Sequence, residues 1–190
     1  MRRYEESIIE FDEIQAPHTK WSTVYEILDS FSWAMLLVMV LFTFFCRPFW
    51  VSGNSMEPTL QNHNWVAVTT IGFHAQRGDI VVVTQPNARH EPLIKRIIAV
   101  EGDTVDIDVQ AHTVSVNGEI LDEPYISEPI EKSGDMTFPI RVPQGHVFVM
   151  GDNRNDSLDS RSSMIGFIDT RYLAGKAAFR LIPVGQWKIG

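Results

Sequence analysis

Hydrophobic positions along this chain fall into one long uninterrupted run followed by many short, mostly alternating ones. The run extends from Phe31 to Cys46 and holds no charge, no glycine and no proline. Sixteen helical residues cover about 24 Å, and an extension to Trp50 would reach about 30 Å, the thickness of a bilayer's hydrocarbon core. The run is apolar on all faces rather than striped, so it predicts a single-span membrane anchor in preference to a buried core helix. Thirty residues precede it, and Arg47-Pro48 follows where a signal cleavage site would need small residues, so the anchor reads as uncleaved. Beyond it, glycine and proline punctuate short β-rich runs: 65–69, 80–84, 93–100, 104–109, 113–116, 119–121, 138–142, 147–150 and 177–182. Such spacing predicts a mainly β fold rather than alternating βα units. Asn117-Gly118, between Val114-Ser115-Val116 and Glu119-Ile120-Leu121, is a hairpin turn signal, because both residues tolerate positive φ.

The pattern divides the chain into an acidic, polar leader over 1–30, an anchor with its interfacial segment over 31–50, and a β-rich domain over 51–190. The leader carries a short amphipathic stretch near Val24 to Leu28. Residues 103–142, with their own turns and a polar segment from Glu128 to Asp135, read as a small β subdomain inserted in that domain. Arg2, Arg3 and Lys20 stand before the anchor and Arg47 just after it, a balance that does not fix its orientation.

Composition narrows the chemistry. A chain of 190 residues with 44% hydrophobic and 21% charged content can bury a real core and is not disordered. Sixteen basic against 24 acidic residues, net charge -8, with no dense basic stripe, argue against nucleic-acid binding. Cys46 is the only cysteine, so neither an internal disulfide nor a multi-cysteine metal site can form. The six histidines lack paired zinc spacing, and the acidic loop from Asp152 to Asp159 fails the helix-loop-helix calcium pattern.

Against that background one residue stands out. Lys95 lies in the apolar run Leu93-Ile94-Lys95-Arg96-Ile97-Ile98-Ala99-Val100, where strand alternation groups it with Leu93, Ile97 and Ala99, and Arg96 with Ile94, Ile98 and Val100. Arginine keeps its proton and needs an acceptor, whereas a buried lysine can be neutral. Bringing a lysine from about 10.4 to about 7 disfavours its charged form by roughly 4 to 5 kcal/mol, within what burial achieves. A neutral amine is a general base, and a serine needs one before it can attack a carbonyl. The bland alternative is a snorkelling or ion-paired lysine. Ser55, in the turn Val51-Ser52-Gly53-Asn54-Ser55-Met56-Glu57-Pro58-Thr59-Leu60, is a candidate nucleophile, although such a turn can equally be a flexible linker. Gly151-Asp152-Asn153-Arg154-Asn155-Asp156-Ser157-Leu158-Asp159-Ser160-Arg161 reads as a rigid, self-bonded polar loop beside a site. No serine occupies a Gly-x-Ser-x-Gly elbow.

Together the membrane anchor and four ordered motifs, the turn from Ser52 to Leu60, Arg77-Gly78-Asp79-Ile80-Val81, Lys95 through Asp103 and Gly151 through Arg161, closely resemble the type I signal peptidase (leader peptidase) family in its compact bacterial form, in order from the anchor to about Phe167. The resemblance implies a signal-peptidase-like β-rich catalytic domain behind one transmembrane helix, held outside the cytoplasm at the cell membrane. It also implies a serine endopeptidase with a Ser/Lys dyad that cleaves signal peptides from secretory preproteins, with the lipid bilayer and secretion machinery as surroundings and no metal or cofactor. It assigns Ser55 as nucleophile and Lys95 as general base, Ser157 as a hydroxyl orienting the lysine, and Asp159 and Arg161 as site-supporting. Arg77, Asp79, Arg96 and Asp152 become structural partners. Gly53 falls where some members carry an oxyanion-donating serine, leaving the backbone N–H of Ser55 and raising Ser52 as a neighbouring hydroxyl. Two other readings are weighed. A self-cleaving repressor shares Ser/Lys chemistry but needs a DNA-binding module where this chain has its anchor. An anchored β-rich binding or assembly domain would leave Ser55 and Lys95 inert.

Overall fold

The computed structural model describes residues 20–40, 42–43, 46–85, 91–185 and 187–189. Most of the leader, residues 1–19, lies outside them, as do Leu41, Phe44 and Phe45 of the apolar run. The helical unit ends at Met39, and the β-rich unit begins at Val40.

Helix α1 spans Lys20–Val40. It crosses the boundary expected at residue 30 and takes in the stretch from Val24 to Leu28, because no glycine or proline interrupts it there. The Ser32 hydroxyl donates back to the Leu28 carbonyl at 2.8 Å, a bond within the helix that hides its polarity. Trp21–Val40, 20 residues of mean hydropathy 1.4 with exposed side chains, is long and apolar enough to cross a membrane. At the other end the sequence expectation is corrected: Arg47–Trp50 is a strand, β1, and not a continuation of the anchor. Pro48 cannot extend a helix, yet it suits an edge strand, where its missing N–H faces away from the ladder.

The β-rich unit adds β2 (Trp65–Thr69), β3 (Ile80–Val83), β4 (Leu93–Val100), β5 (Thr104–Asp108), β6 (Thr113–Val116), β7 (Glu119–Ile120), β8 (Ile140–Arg141), β9 (His146–Met150), β10 (Ile168–Asp169) and β11 (Leu173–Ile182). Seven of them form one antiparallel sheet in the order β1-β2-β11-β3-β4-β9-β10; the others form a second sheet, β7-β6-β5-β8. Asn117 and Gly118, at φ 57° and 84°, make the expected two-residue turn between β6 and β7. All four residues of β3 are buried, since apolar clusters cover both faces of the large sheet. Val105 and Ile107 of β5 alternate with exposed Asp106 and Asp108, and pack with Phe148 and Met150 of β9 in a core shared by the two sheets.

Strand β4 departs from simple alternation. A register shift against β9 between Ile97 and Ala99 puts Ala99 in the same cluster as Ile98, and Val100 with Ile97. The faces read from the sequence therefore hold from Leu93 to Ile97 and fail beyond.

Candidate active site

Ser55 stands where an exposed loop meets the core. Gly53 precedes it at φ +88°, a conformation that only glycine adopts easily. Met56 and Leu60 follow, 1% and 0% exposed, and the Leu60 N–H closes a turn on the Met56 carbonyl at 2.8 Å. Ser55 is thus held between a free-standing stretch and a buried apolar anchor.

Lys95 enters from β4, paired in register with Val81 of β3 and only 3% exposed. Its Nζ and the Ser55 Oγ lie 2.6 Å apart in a hydrogen bond that spans 40 residues of sequence. Both line a cleft of about 400 Å³, walled by Trp50–Met56 on one side, Glu91–Ile94 on another and Asn155–Leu158 on a third.

The polar loop after β9 presses against Ser55. A Cβ on Gly151 would fall 2.3 Å from both the Ser55 carbonyl oxygen and the Ser157 Oγ, so the loop can approach this closely only with glycine there. The next residues grip the peptide groups on either side of Ser55. The Asn153 N–H donates to the Ser55 carbonyl at 3.1 Å, its side-chain amide to the Asn54 carbonyl at 3.3 Å, and Asn54 Nδ2 donates to Asp156 at 2.7 Å.

Two buried arginine forks hold that loop. Arg96 donates to both oxygens of Asp152 at 2.8 and 2.7 Å and to the Gly78 carbonyl at 2.9 Å, so the acceptor its burial demanded is both a carboxylate and a backbone carbonyl. Thr59, from the turn that carries Ser55, donates to the same carboxylate. Arg161 forks onto Asp159 at 2.8 Å on each oxygen, and Asp159 also accepts the Gly151 N–H at 3.0 Å. Burial pushes the Asp159 carboxyl up, but the Arg161 guanidinium, the Gly151 N–H and the nearby Ser157 hydroxyl outweigh it and hold it below the usual carboxylate range. A carboxyl lowered by folding contributes stability above that range and loses it as pH falls through the folded value. Urea midpoints should therefore decline as wild type is acidified below about pH 4. Asp159→Asn should be less stable at neutral pH and show a shallower acid decline; an unchanged acid slope would remove Asp159 as a cause.

Of the residues singled out in the sequence, Ser55, Lys95 and Ser157 line one cleft, with Asp159 and Arg161 immediately behind it. Ser157 differs from expectation: its buried Oγ makes no hydrogen bond to Lys95 and instead lies toward Asp159 and Gly151. The Gly53 N–H is bound to Asn62 Oδ1 at 3.1 Å, whereas Ser52 is exposed in the cleft wall. Arg77 and Asp79 are not partners of one another: Arg77 pairs with Asp103, and Asp79 with Lys176.

Sequence reasoning missed Glu123 and Tyr125, which come from the inserted segment. Glu123 takes a fork from buried Arg154 at 2.8 and 2.6 Å, and the Tyr125 ring lies under Arg96 with 3.9 Å from Cζ to centroid. No local pattern announced them, because Asp152, Asp156 and Asp159 already outnumber the two arginines of the loop and leave no partner visibly missing.

Comparison with known proteins gives the family. The family described as "Signal peptidase, peptidase S26" matches residues 24–182. Signal peptidase I of Bacillus licheniformis is 33% identical over 88% of this chain and 93% of its own length. A probable signal peptidase I-1 of a Synechocystis species is 34% identical over 88% and 87%. A crystal structure of a signal peptidase I from Enterococcus faecalis, 30% identical, covers 55% of this chain and 97% of its own at a TM-score of 0.46. With a match over most of its length, and relatives aligned nearly end to end, this chain belongs to the signal peptidase family, peptidase S26.

Proposed function

We propose that this protein is a membrane-anchored serine endopeptidase that removes N-terminal signal peptides from secretory preproteins, with Ser55 as nucleophile and Lys95 as general base. The observation that carries the reading is the 2.6 Å contact between Lys95 Nζ and Ser55 Oγ, made by a lysine almost wholly out of water. Burial disfavours the ammonium, and a neutral amine accepts the hydroxyl proton. The Ser55 oxygen then bonds to the scissile carbonyl carbon, and the developing oxyanion meets the Ser55 N–H, to which no acceptor is bound among the described residues. Because the Gly53 N–H is engaged by Asn62, it is not the second donor. As the C–N bond breaks, the leaving amine takes the proton from Lys95. Water, activated by the same lysine, releases the acyl group.

Substrate placement follows from the sheet. The Ile97 N–H and C=O bond to Asp79 and Gly78, on the β3 side. Alternation turns the backbone groups of Ile94 the other way, where β9 has already ended at Met150 opposite Arg96. Open among the described residues, that edge borders the cleft and suits an extended peptide added as a strand, while Val51, Met56 and Ile94 offer apolar walls for small side chains. Helix α1 is the anchor in this reading, and the catalytic unit faces the extracytoplasmic side, with Trp50 and Arg47 suited to the membrane interface.

The test is incubation of the purified full chain in detergent with a preprotein, with products read by mass spectrometry. A single cut at the signal junction is expected, faster as pH rises from mildly acidic values. An intact preprotein would overturn the function, and a flat pH profile would remove Lys95 as base.

A further inference from the structure

The inserted segment supplies two side chains for which the reaction above has no use. Tyr125 lies with its ring against the Arg96 guanidinium, 3.9 Å from Cζ to centroid, and 5.9 Å from that of Arg154. Its hydroxyl donates to Glu123 Oε1 at 3.0 Å. Glu123 takes the Arg154 fork, and Arg154 Nε donates to the Gly151 carbonyl at 3.0 Å. Arg96 and Arg154 are 4% and 1% exposed. Burial, followed by the charge of Glu123, pushes the Tyr125 phenol up to about 12, so it remains a neutral donor at any working pH.

The geometry points to Tyr125 as a positioning residue for the Ser55/Lys95 dyad: its ring seals the Arg96–Asp152 pair, whose arginine follows Lys95 on β4 and whose aspartate belongs to the loop that presses on Ser55, while its hydroxyl adds only a lesser tie to Glu123. This rests on the dyad reading. The edge of the Arg96 guanidinium is spent on Asp152 and Gly78, which leaves its flat face to be covered. An aromatic face does that and is drawn to the cation, while water kept out strengthens the ion pair behind it. Both ends of the assembly bear on the reacting atoms. Arg96 adjoins Lys95 on β4, and Gly151 abuts the Ser55 carbonyl oxygen. A side chain without a ring would let the fork tilt and the loop relax away from the nucleophile. The loop after β7 thereby becomes part of what positions the dyad rather than an appendage.

The experiment measures kcat and KM separately for preprotein cleavage by wild type, Ser55→Ala, Tyr125→Phe and Tyr125→Leu, each below its own melting transition, with folded protein quantified by circular dichroism. Tyr125→Phe keeps the ring and should stay within about threefold of wild type, whereas Tyr125→Leu should lose about 10- to 100-fold in kcat with KM little changed. A purely structural tyrosine would instead lower the melting temperature and leave kcat per folded molecule intact. If Tyr125→Leu does not fold, Tyr125→Met fills the space without a ring and replaces it. Wild-type kcat in the ringless variant, or a Phe variant as impaired as Leu, overturns the proposal while the dyad stands. A wild type that fails to cut, or Ser55→Ala that cuts as well, sinks the dyad reading and this proposal with it.

Discussion

Replacing Ser55 by alanine, or Lys95 by alanine or arginine, should reduce preprotein cleavage by about 10⁴-fold or more, because removing either member of a nucleophile–base unit costs nearly as much as removing both. Lys95→Arg is the informative member of the set. It keeps a long cationic side chain, so a lysine that served only as a counter-charge would be partly replaced. A guanidinium holds its proton at any accessible pH, so a lysine that works as a base would not be. The double variant Ser55→Ala/Lys95→Ala should be no slower than either single one. Rates are compared under single-turnover conditions on variants whose far-ultraviolet circular dichroism matches wild type. Appreciable cutting by Lys95→Arg, or additive losses in the double variant, would contradict the proton-transfer role.

Gly151→Ala should be the most damaging substitution outside the dyad. Its Cβ would lie 2.3 Å from a backbone oxygen, that of Ser55, as well as from the Ser157 hydroxyl. The hydroxyl can rotate aside; the carbonyl belongs to the peptide that carries the nucleophile and cannot. The clash is relieved only by moving Ser55 or the loop, and a displacement of about 1 Å at reacting atoms costs on the order of 100-fold in rate. Overpacking of this kind also destabilises by about 1–3 kcal/mol. The expected result is a folded enzyme with a lowered melting temperature and kcat/KM reduced about 100-fold. A variant with near-normal kcat/KM would mean that the loop yields without taking Ser55 with it.

The proposed reactive pair and the strands were more legible in the sequence than their support. Lys95 was visible because a charged residue in an apolar strand is costly and therefore informative, and Asn117-Gly118 because two positive φ angles have few alternatives. The helix start was not visible. Polar residues before Phe31 resembled a leader, yet an unbroken helix runs through them and tolerates Glu26 and Asp29 in its first half. Strand β1 was hidden by its proline, since a four-residue edge strand has too little pattern to announce itself. The bulge after Ile97 left no local mark, because every residue there is apolar on either register. Glu123 and Tyr125 were hidden for another reason. Their roles arise from contacts more than 25 residues away, and a loop written Asp122-Glu123-Pro124-Tyr125 looks like an ordinary solvated turn until Arg96 and Arg154 are seen beside it.

One consequence concerns how long a cut product lingers. Among the described residues the unoccupied margin of β4 is short, because β9 takes over at Arg96, the backbone groups of Leu93 and Lys95 turn toward β3, and only the backbone of Ile94 remains to be matched. A guest chain can gain only a few main-chain bonds there, each worth about 1 kcal/mol net. On the proposed reading, once hydrolysis severs the covalent tie, so short a zipper holds the leader fragment only weakly, and the cleft empties for the next precursor.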